Sequence, residues 1–582
     1  MRSMTRPAQA AATAALEVTS RPTRLRLSDS TADTGGSREV LARLATAVSE
    51  LKALSLQPLL QNAVTCLNGG NTTDGAAWAI KALEVDERSG FGWYLLAIAR
   101  EQSGDFPAAI TCYETALRLL PDHGELANNL GRLAFRLGQS PVAEKLFRLF
   151  LERFPNHPEG ANNLACALRE QGRYEEAIEV LRASLLNNPG HALVWNTLGT
   201  VMAEQGDAPN ALVFFDEALR LEPGLAKAQY NRGNMALALG KLEDALSDCE
   251  AALAIATSPD ERQMMRLARS TILINLGRVG EGWDEYEARL HPQFSDVTRF
   301  LIDRPRWEPG TGVAGKSVLV IAEQGLGDEI LFANVLADLN RDLGPSGRLT
   351  LAVEPRLVTL FQRAFPRARV GAHATFNVDG RSVRTLPFLE GAETGIDLWT
   401  PMASLLRQYR RSAEAFPDTI GYLAPDPARV AHWVEVLNSA PAGRKVGLLW
   451  KSAVTNGARH RYFSPFDQWA PVLSVPAITF VNLQYGDCSA EIAQARAQFG
   501  VEIWTPPGID LKQDLDEVAA LTCALDLVIG FANATLNIAG ACGVPTWLIS
   551  TPGAWTASAP TAIPGIPRPG SSCHRPLPSG NR

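Results

Sequence analysis

Val318-Leu-Val-Ile-Ala-Glu-Gln-Gly-Leu-Gly-Asp-Glu-Ile-Leu-Phe-Ala-Asn-Val-Leu-Ala-Asp-Leu339 reads as a strand, a glycine turn and a helix. The run 318–322 is short and wholly apolar, the pattern of a strand buried on both faces. Gly325 and Gly327 allow a tight turn that a Cβ would resist. From Glu329 onward, Ile330, Leu331, Val335, Ala337 and Leu339 fall at helical spacing. Such a turn sets a helix N-terminus at the carboxyl edge of a parallel sheet, where open α/β sheets place their ligands. Two readings stand for it: a phosphate- or nucleotide-binding turn, or an ordinary βα loop.

Downstream, strands and helices alternate. Strands are expected at 348–353, 397–399, 446–450, 478–483, 527–529 and 544–549. Helices are expected at 355–365, 402–409, 428–438, 514–524 and 533–541, with 466–470 opening another. A proline-rich crossing at 417–427 divides the region into halves at 316–440 and 445–556. Two Rossmann-like halves facing across a cleft is the natural packing of that order.

Upstream, the text is all helix and periodic. Gly104, Gly138, Gly172, Gly206 and Gly240 are spaced by 34, and so are Ala109, Ala143, Ala177, Ala211 and Ala245. Pro121, Pro155, Pro189 and Pro223 keep the same period. Units run over 90–123, 124–157, 158–191, 192–225 and 226–259 without insertion. Glycine ends the first helix in a left-handed conformation, alanine sits where two helices approach, and proline stops the second helix. One helical pair cannot bury its apolar face, so neighbours must stack. Weaker flanking units extend the array to 56–290. Asn129, Asn163 and Asn231 share one repeat position, which Thr197 interrupts. Asparagine both donates to and accepts from a peptide backbone, so this row reads either as a peptide groove or as a solvated polar face. His123, His157 and His191 follow the prolines and read as turn residues.

The totals are those of a multidomain globular protein. The chain has 582 residues, 46% hydrophobic and 20% charged, with a net charge of −7. No bulk basic field argues for nucleic acid, and no apolar run approaches the roughly 18 residues of a membrane span. The eight cysteines are scattered without a CxxC pair, which favours free thiols in a reducing, cytoplasmic setting over disulfides or a metal centre. Residues 1–50 are expected to be a disordered basic tail, with Arg2, Arg6, Arg21, Arg24 and Arg26 prominent.

Trp195, Leu198, Gly199, Gly206, Ala211, Phe215, Ala218 and Pro223 make the repeats resemble tetratricopeptide repeats. In the second half, Ala322-Glu-Gln-Gly-Leu-Gly-Asp328 stands with two further stretches. One is Val446-Gly-Leu-Leu-Trp-Lys451 with Arg459, Arg461 and Ser464. The other is Asp526-Leu-Val-Ile-Gly530 with Ala539-Gly-Ala-Cys-Gly-Val-Pro545. Over about 56–556 the chain thereby resembles bacterial tetratricopeptide proteins that carry a GT-B glycosyltransferase domain. That domain is related to heptosyltransferases and more distantly to O-GlcNAc transferase. A closer resemblance is to the flagellin-modifying, FlbA-type members. The fold so implied is an α-solenoid, the tetratricopeptide superhelix, followed by an α/β GT-B-like domain.

The resemblance implies the rest. The repeat groove, with Asn129, Asn163 and Asn231, holds flagellin or another acceptor protein. Asp328 matches the family's base toward the acceptor hydroxyl, although it equally suits capping of the following helix. Gly325, Gly327, Lys451, Arg459, Arg461 and Asn533 match contacts to a nucleotide-sugar donor. No metal and no bound cofactor are implied. The family pattern is broken at Ala532-Asn533, where many relatives carry Asp-Thr, and at Asn537, where they carry His. A single-phosphate donor such as CMP-pseudaminic acid is compatible with that departure. The alternative function is an adaptor or chaperone in flagellin synthesis with a degenerate GT-B domain. After Trp555 the text turns to aperiodic Pro, Gly and Ser, whereas relatives continue with Arg-Leu-Gly-Thr-Asp-Arg-Tyr-Pro. A frameshift over 557–582 is one expectation, and a genuine disordered tail is the other.

Overall fold

The structure, a computed structural model, describes residues 37–378, 381–389, 391, 395–417, 421–451, 463 and 465–550. Arg459, Arg461, Ser464 and the 557–582 tail lie outside the described residues. The chain divides into two compact units, Met1–Met202 and Ala203–Arg582, with the boundary inside the helix Ala192–Gln205.

The first unit is a run of antiparallel helical hairpins. Gly90–Ser103 pairs with Phe106–Leu119, Gly124–Arg136 with Ser140–Arg153, and Pro158–Glu170 with Tyr174–Asn187. The glycine of each turn does what the period demands: Gly104, Gly138 and Gly172 have φ of 86°, 75° and 72°. Ala109, Ala143 and Ala177 are fully buried where the helices cross. Asp105 caps its helix by accepting the Ala108 N–H. Of the repeated histidines, His157 caps its helix at the Gly160 N–H and packs edge-on against Phe150, while His123 lies against Tyr94.

Residues 37–50, expected to be disordered, are instead the first turns of helix Ser37–Asn68. Residues 38–54 are rich in Ala, Leu, Arg and Glu, all good helix formers. Their propensity outweighs the low overall apolarity that reads as disorder.

A hydrogen-bonded series links successive first helices of this unit. The Asn129 amide donates to the Tyr94 hydroxyl at 2.6 Å, the Asn163 amide to Asn128 Oδ1 at 3.1 Å, and the Thr197 hydroxyl to Asn162 Oδ1. Asn128 and Asn162 are buried, while Asn129 and Asn163 are half-buried. The asparagine row is therefore first a clamp between repeats. Its buried members are also 34 apart in the sequence, a signal the groove reading passes over. Asn162→Ala leaves the Thr197 hydroxyl without its acceptor in a buried site, so a loss of about 1–3 kcal/mol is expected. The urea midpoint of the first unit's transition measures it.

The second unit opens with helix Ala208–Leu221, followed by the hairpins Ala226–Ala238 with Leu242–Ile255 and Pro259–Asn275 with Val279–Tyr286. The α/β region follows. Its strands are β1 Arg299–Phe300, β2 Ser317–Ile321, β3 Arg348–Val353, β4 Arg369–Ala372, β5 Ala374–Val378, β6 Arg381–Thr385 and β7 Leu398–Pro401. They continue with β8 Arg444–Leu449, β9 Ile478–Asn482, β10 Ile503–Trp504, β11 Leu527–Phe531 and β12 Thr546–Ile549. One sheet has the order β4-β3-β2-β7 and another β10-β9-β8-β11-β12, and both are parallel throughout. In each the first strand in sequence is internal and the order reverses beside it, as in doubly wound sheets. A small third sheet, β1-β6-β5, has no counterpart in the sequence reading. The 374–385 hairpin alternates too little to stand out, because its outer strand is exposed.

Two parts of the core matter for the site. Trp283, Val279 and Ile274 of the last hairpin pack with Val318, Val320 and Phe332 of the first sheet layer. The same cluster takes in Val518 and Ala519 of helix Leu515–Cys523 and Ile538 and Ala541 of helix Ala534–Ala541, on the second sheet's side. Each such fully buried aliphatic contributes about 1.5–3 kcal/mol.

Candidate functional site

The turn after β2 departs from the sequence reading in one respect. Neither glycine takes a left-handed conformation; Gln324 does, with φ 64°. A non-glycine residue held there stores strain that the surroundings must maintain. Gly325 precedes the helix Leu326–Phe332, so Gly327 lies inside its first turn. The single helix expected from 329 to 339 breaks into Leu326–Phe332, a 3₁₀ turn and Leu336–Leu343.

Gly327 is small because of what lies against it. A Cβ there would meet Asn537 Nδ2 at 3.2 Å, Ala534 N at 3.5 Å and the Asn533 carbonyl carbon at 3.6 Å. Asn537 Nδ2 donates to the Gly327 carbonyl at 2.9 Å. The helix after β2 and the helix after β11 thus touch at their N-terminal ends. Tyr422 closes the other end: its N–H donates to the Ala541 carbonyl at 2.7 Å and its hydroxyl to the Ile330 carbonyl at 2.8 Å. Arg356, after β3, reaches the Lys512 carbonyl, after β10, at 2.7 Å. Arg363 forms a two-pronged pair with Asp516 at 2.7 and 2.9 Å. The carboxyl ends of the two parallel sheets therefore face each other.

Asp328 stands at that meeting, half-buried. Its Oδ2 accepts the Gly325 N–H at 3.1 Å, completing a capping arrangement that fixes the carboxylate's direction. Burial pushes its carboxyl above the ordinary carboxylate range; the Gly325 bond opposes this, and the charges of Glu323 and Glu329 add to the rise. Both flanking glutamates are buried and paired with arginines. Glu323 pairs with Arg289 at 2.7 and 3.0 Å and accepts the Ala403 N–H at 3.1 Å. Glu329 takes His373 Nε2 at 2.9 Å and the Glu354 N–H at 2.9 Å, with Arg384 Nη1 at 3.6 Å. Arg384 also donates to the Ala322 carbonyl and to Thr375 Oγ1. Burial lowers the Arg384 pKa from its usual value.

The sequence reading missed Arg289, Glu323, Glu329, His373 and Arg384. Glu323 and Glu329 lie in the quoted stretch, but their partners come from distant elements with no local pattern. Glu323 and Ala403 occupy the switch point between β2 and β7, so an ion pair fills the crevice where a ligand commonly sits.

On the second sheet, Lys451 follows β8 and Asn533 follows β11, the two strands flanking its switch point. The Lys451 ammonium is paired with Glu491. Its backbone N–H and that of Trp450 both donate to Gln484 Oε1, at 3.0 and 3.1 Å. Asn533 caps its helix by accepting the Leu536 N–H at 2.9 Å. On the far side of Gln484 lies an open cavity of about 550 Å³ whose walls include Tyr485, Ile492, Thr505, Ile509 and Leu511. The walls are mixed: Tyr485, Ile492, Ile509 and Leu511 offer apolar faces, while Asp487, Asp510 and Lys512 put charges at the same cavity.

The structure thus brings Gly325, Gly327, Asp328 and Asn533 to one place, with Lys451 at the neighbouring strand end. Asn129 and Asn163 belong to the first unit and Asn231 to the second. Among the described residues, no group of three or more His, Cys, Asp and Glu side chains is placed to hold a metal ion, and no helix is long and apolar enough to cross a membrane.

The tetratricopeptide repeat family matches residues 94–158, 162–226 and 214–261. Among solved structures, YrrB, a TPR protein with an unusual peptide-binding site, is 24% identical with a TM-score of 0.27, over 29% of this chain and 88% of its own. A thermophilic TPR protein of Thermus thermophilus is 25% identical with a TM-score of 0.29, over 32% of this chain and 100% of its own. Protein FlbA of Caulobacter vibrioides is 50% identical over 531 residues, 91% of this chain and 89% of that protein. The similarity runs through the repeats and the α/β region alike, and the chain belongs to the FlbA family.

Proposed function

We propose that the chain is a cytoplasmic protein glycosyltransferase that modifies flagellin on Ser or Thr from a nucleotide-sugar donor, in the service of flagellum assembly. The supporting observation is the facing of two doubly wound parallel sheets at their carboxyl ends, with Asp328 at the junction. In a GT-B reading this junction is the cleft, with acceptor chemistry on the first sheet and the donor on the second.

In this reading Asp328 takes the proton from the acceptor hydroxyl as its oxygen attacks the anomeric carbon. The bond to the nucleotide phosphate breaks, and the phosphate leaves with the electron pair. The Lys451 ammonium offsets its charge once released from Glu491. The cavity beside Tyr485 receives the nucleoside. No cofactor takes part; the donor is a co-substrate, and CMP-pseudaminic acid is the proposed one. The repeats hold the acceptor.

The test is the intact mass of flagellin from cells with and without the gene. Mass lost with the gene and regained with the wild-type copy supports the transferase. Unchanged mass with poor filament assembly sinks it. That outcome points to an adaptor, which one observation favours: Asp328, Asn533 and Lys451 each already have an intramolecular partner.

A binding prediction accompanies this. Lys451→Ala weakens nucleotide binding by about 10–100-fold, the worth of one charged hydrogen bond. Glu491→Gln strengthens it, since the carboxylate no longer competes for the ammonium. Calorimetric titration of the full chain with CMP, UDP and GDP reads both.

A further inference from the structure

Asn537 is not required by the proposed mechanism, yet it is the side chain that joins the two halves beside Asp328. It is 6% exposed. Its Nδ2 donates to the Gly327 carbonyl at 2.9 Å. Its Oδ1 is buried, and among the described residues no donor reaches it. A buried amide oxygen left without a donor is costly and uncommon in folded proteins, and it marks a place where something else supplies the hydrogen.

The surroundings narrow what that is. Oδ1 accepts only from an N–H or O–H. The side chain itself lies in helix Ala534–Ala541 of the second sheet and reaches the Gly327 turn of the first. A group lying between the halves at this point is adjacent to Asp328 in the chain and beyond the strand end that carries Asn533. On the reading given above, the group there is the glycosyl moiety of the donor, a polyol rich in O–H donors.

We propose that Asn537 is a positioning residue: its amide N–H holds the Gly327–Asp328 turn in place, and its carbonyl oxygen takes a hydroxyl hydrogen from the bound glycosyl group. Donor binding on the second sheet is thereby coupled to the orientation of Asp328 on the first. The Gly327 contact needs a donor at position 537, whereas the glycosyl contact needs an acceptor. Asparagine is a short side chain that carries both.

The positioning part does not depend on transferase activity and is tested first. Hydrogen–deuterium exchange is measured on the full chain for wild type, Asn537→Asp and Asn537→Leu. Asp keeps the shape and the acceptor but loses the N–H donor. Exchange of the 325–332 amides is expected to rise at least tenfold in both variants, with exchange of the β8–β11 core unchanged. Equal protection in Asn537→Asp and wild type overturns the proposal. Thermal midpoints guard against misfolding. Leucine removes the unpaired oxygen along with the clasp, so its midpoint stays within a degree or two of wild type.

The second arm follows flagellin modification in cells carrying each variant at matched levels. Both variants are expected to modify flagellin at least tenfold more slowly. Wild-type modification rates with Asn537→Leu overturn the proposed glycosyl contact. Absence of modification with the wild-type protein overturns the transferase reading instead, while the exchange result still decides whether Asn537 positions the turn.

Discussion

Asp328→Asn is expected to abolish flagellin modification, slowing transfer by about 10²–10⁴-fold, while leaving the fold intact. The substitution separates the two roles that one carboxylate plays. As a cap, Asp328 accepts the Gly325 N–H at 3.1 Å, and asparagine offers an oxygen for the same bond. As a base it must take a proton, and an amide does not. The pH behaviour provides a second check. Burial raises the Asp328 pKa, with Glu323 and Glu329 contributing. The working form is ionised, so the rate falls as pH drops through that raised value, above the ordinary carboxyl pKa of about 3.9. The stability sign is the reverse. The folded chain binds this proton more tightly than the unfolded chain, so the ionised carboxylate costs stability at neutral pH. That cost vanishes below the unfolded pKa. Asp328→Asn therefore leaves thermal stability at pH 7 equal or higher. Intact-mass time courses between pH 5 and 8, with melting curves, measure both. Undiminished transfer by Asp328→Asn would leave only the capping role.

Why some of this was legible in the sequence and some was not comes down to the range of the interactions. The repeats declare themselves because Gly104, Ala109 and their equivalents each solve a local problem every 34 residues. The strand ends bearing Asp328, Lys451 and Asn533 are legible because a parallel strand, a short loop and a helix follow one another within a few residues. Gly327 illustrates the limit. Its presence marks a turn, but the reason for it is Asn537, 210 positions away, and only the packing of the two helices reveals that. The asparagine row fails differently. The period identifies equivalent positions, yet it does not say what their amides meet: Asn129 and Asn163 donate to Tyr94 and Asn128 of the preceding repeat, and only the packing of the helices reveals those partners. In the first half of helix Ser37–Asn68 Leu44, Leu51 and Leu54 are exposed, so the helix there shows no buried apolar face for a sequence pattern to reveal.

Arg289→Ala is expected to destabilise the second unit by about 3–5 kcal/mol, because it strands Glu323 as an unpaired charge in the interior. Arg289 and Glu323 are 3% and 2% exposed. The guanidinium meets both Glu323 oxygens, Glu287 at 2.8 Å, the Tyr286 carbonyl at 3.0 Å and Ser404 Oγ at 3.2 Å. Removing it leaves at least two of those acceptors without a donor. The pair joins the last helical hairpin to the end of β2, so its loss acts on the scaffold and the turn together. Glu287 shows how strongly the cluster is coupled. Burial pushes its carboxyl up, but Arg289 and Arg306 override burial and hold it below the ordinary carboxylate range. A depressed carboxyl contributes stability that is fully present above its unfolded pKa of about 4.3 and is lost as pH falls through the folded value. Arg289→Ala is therefore expected to unfold at a higher pH on acidification than wild type, as well as at lower urea. The double variant Arg289→Met, Glu323→Leu discriminates charge from packing: with both charges gone and volume kept, most of the stability returns. If Arg289→Ala alone unfolds at the wild-type midpoint, Glu323 has found water, and the end of β2 is open to solvent. If the double variant recovers stability but not transfer, the ion pair serves to hold Glu323, and through it the Gln324–Asp328 turn, in the strained shape the chemistry uses.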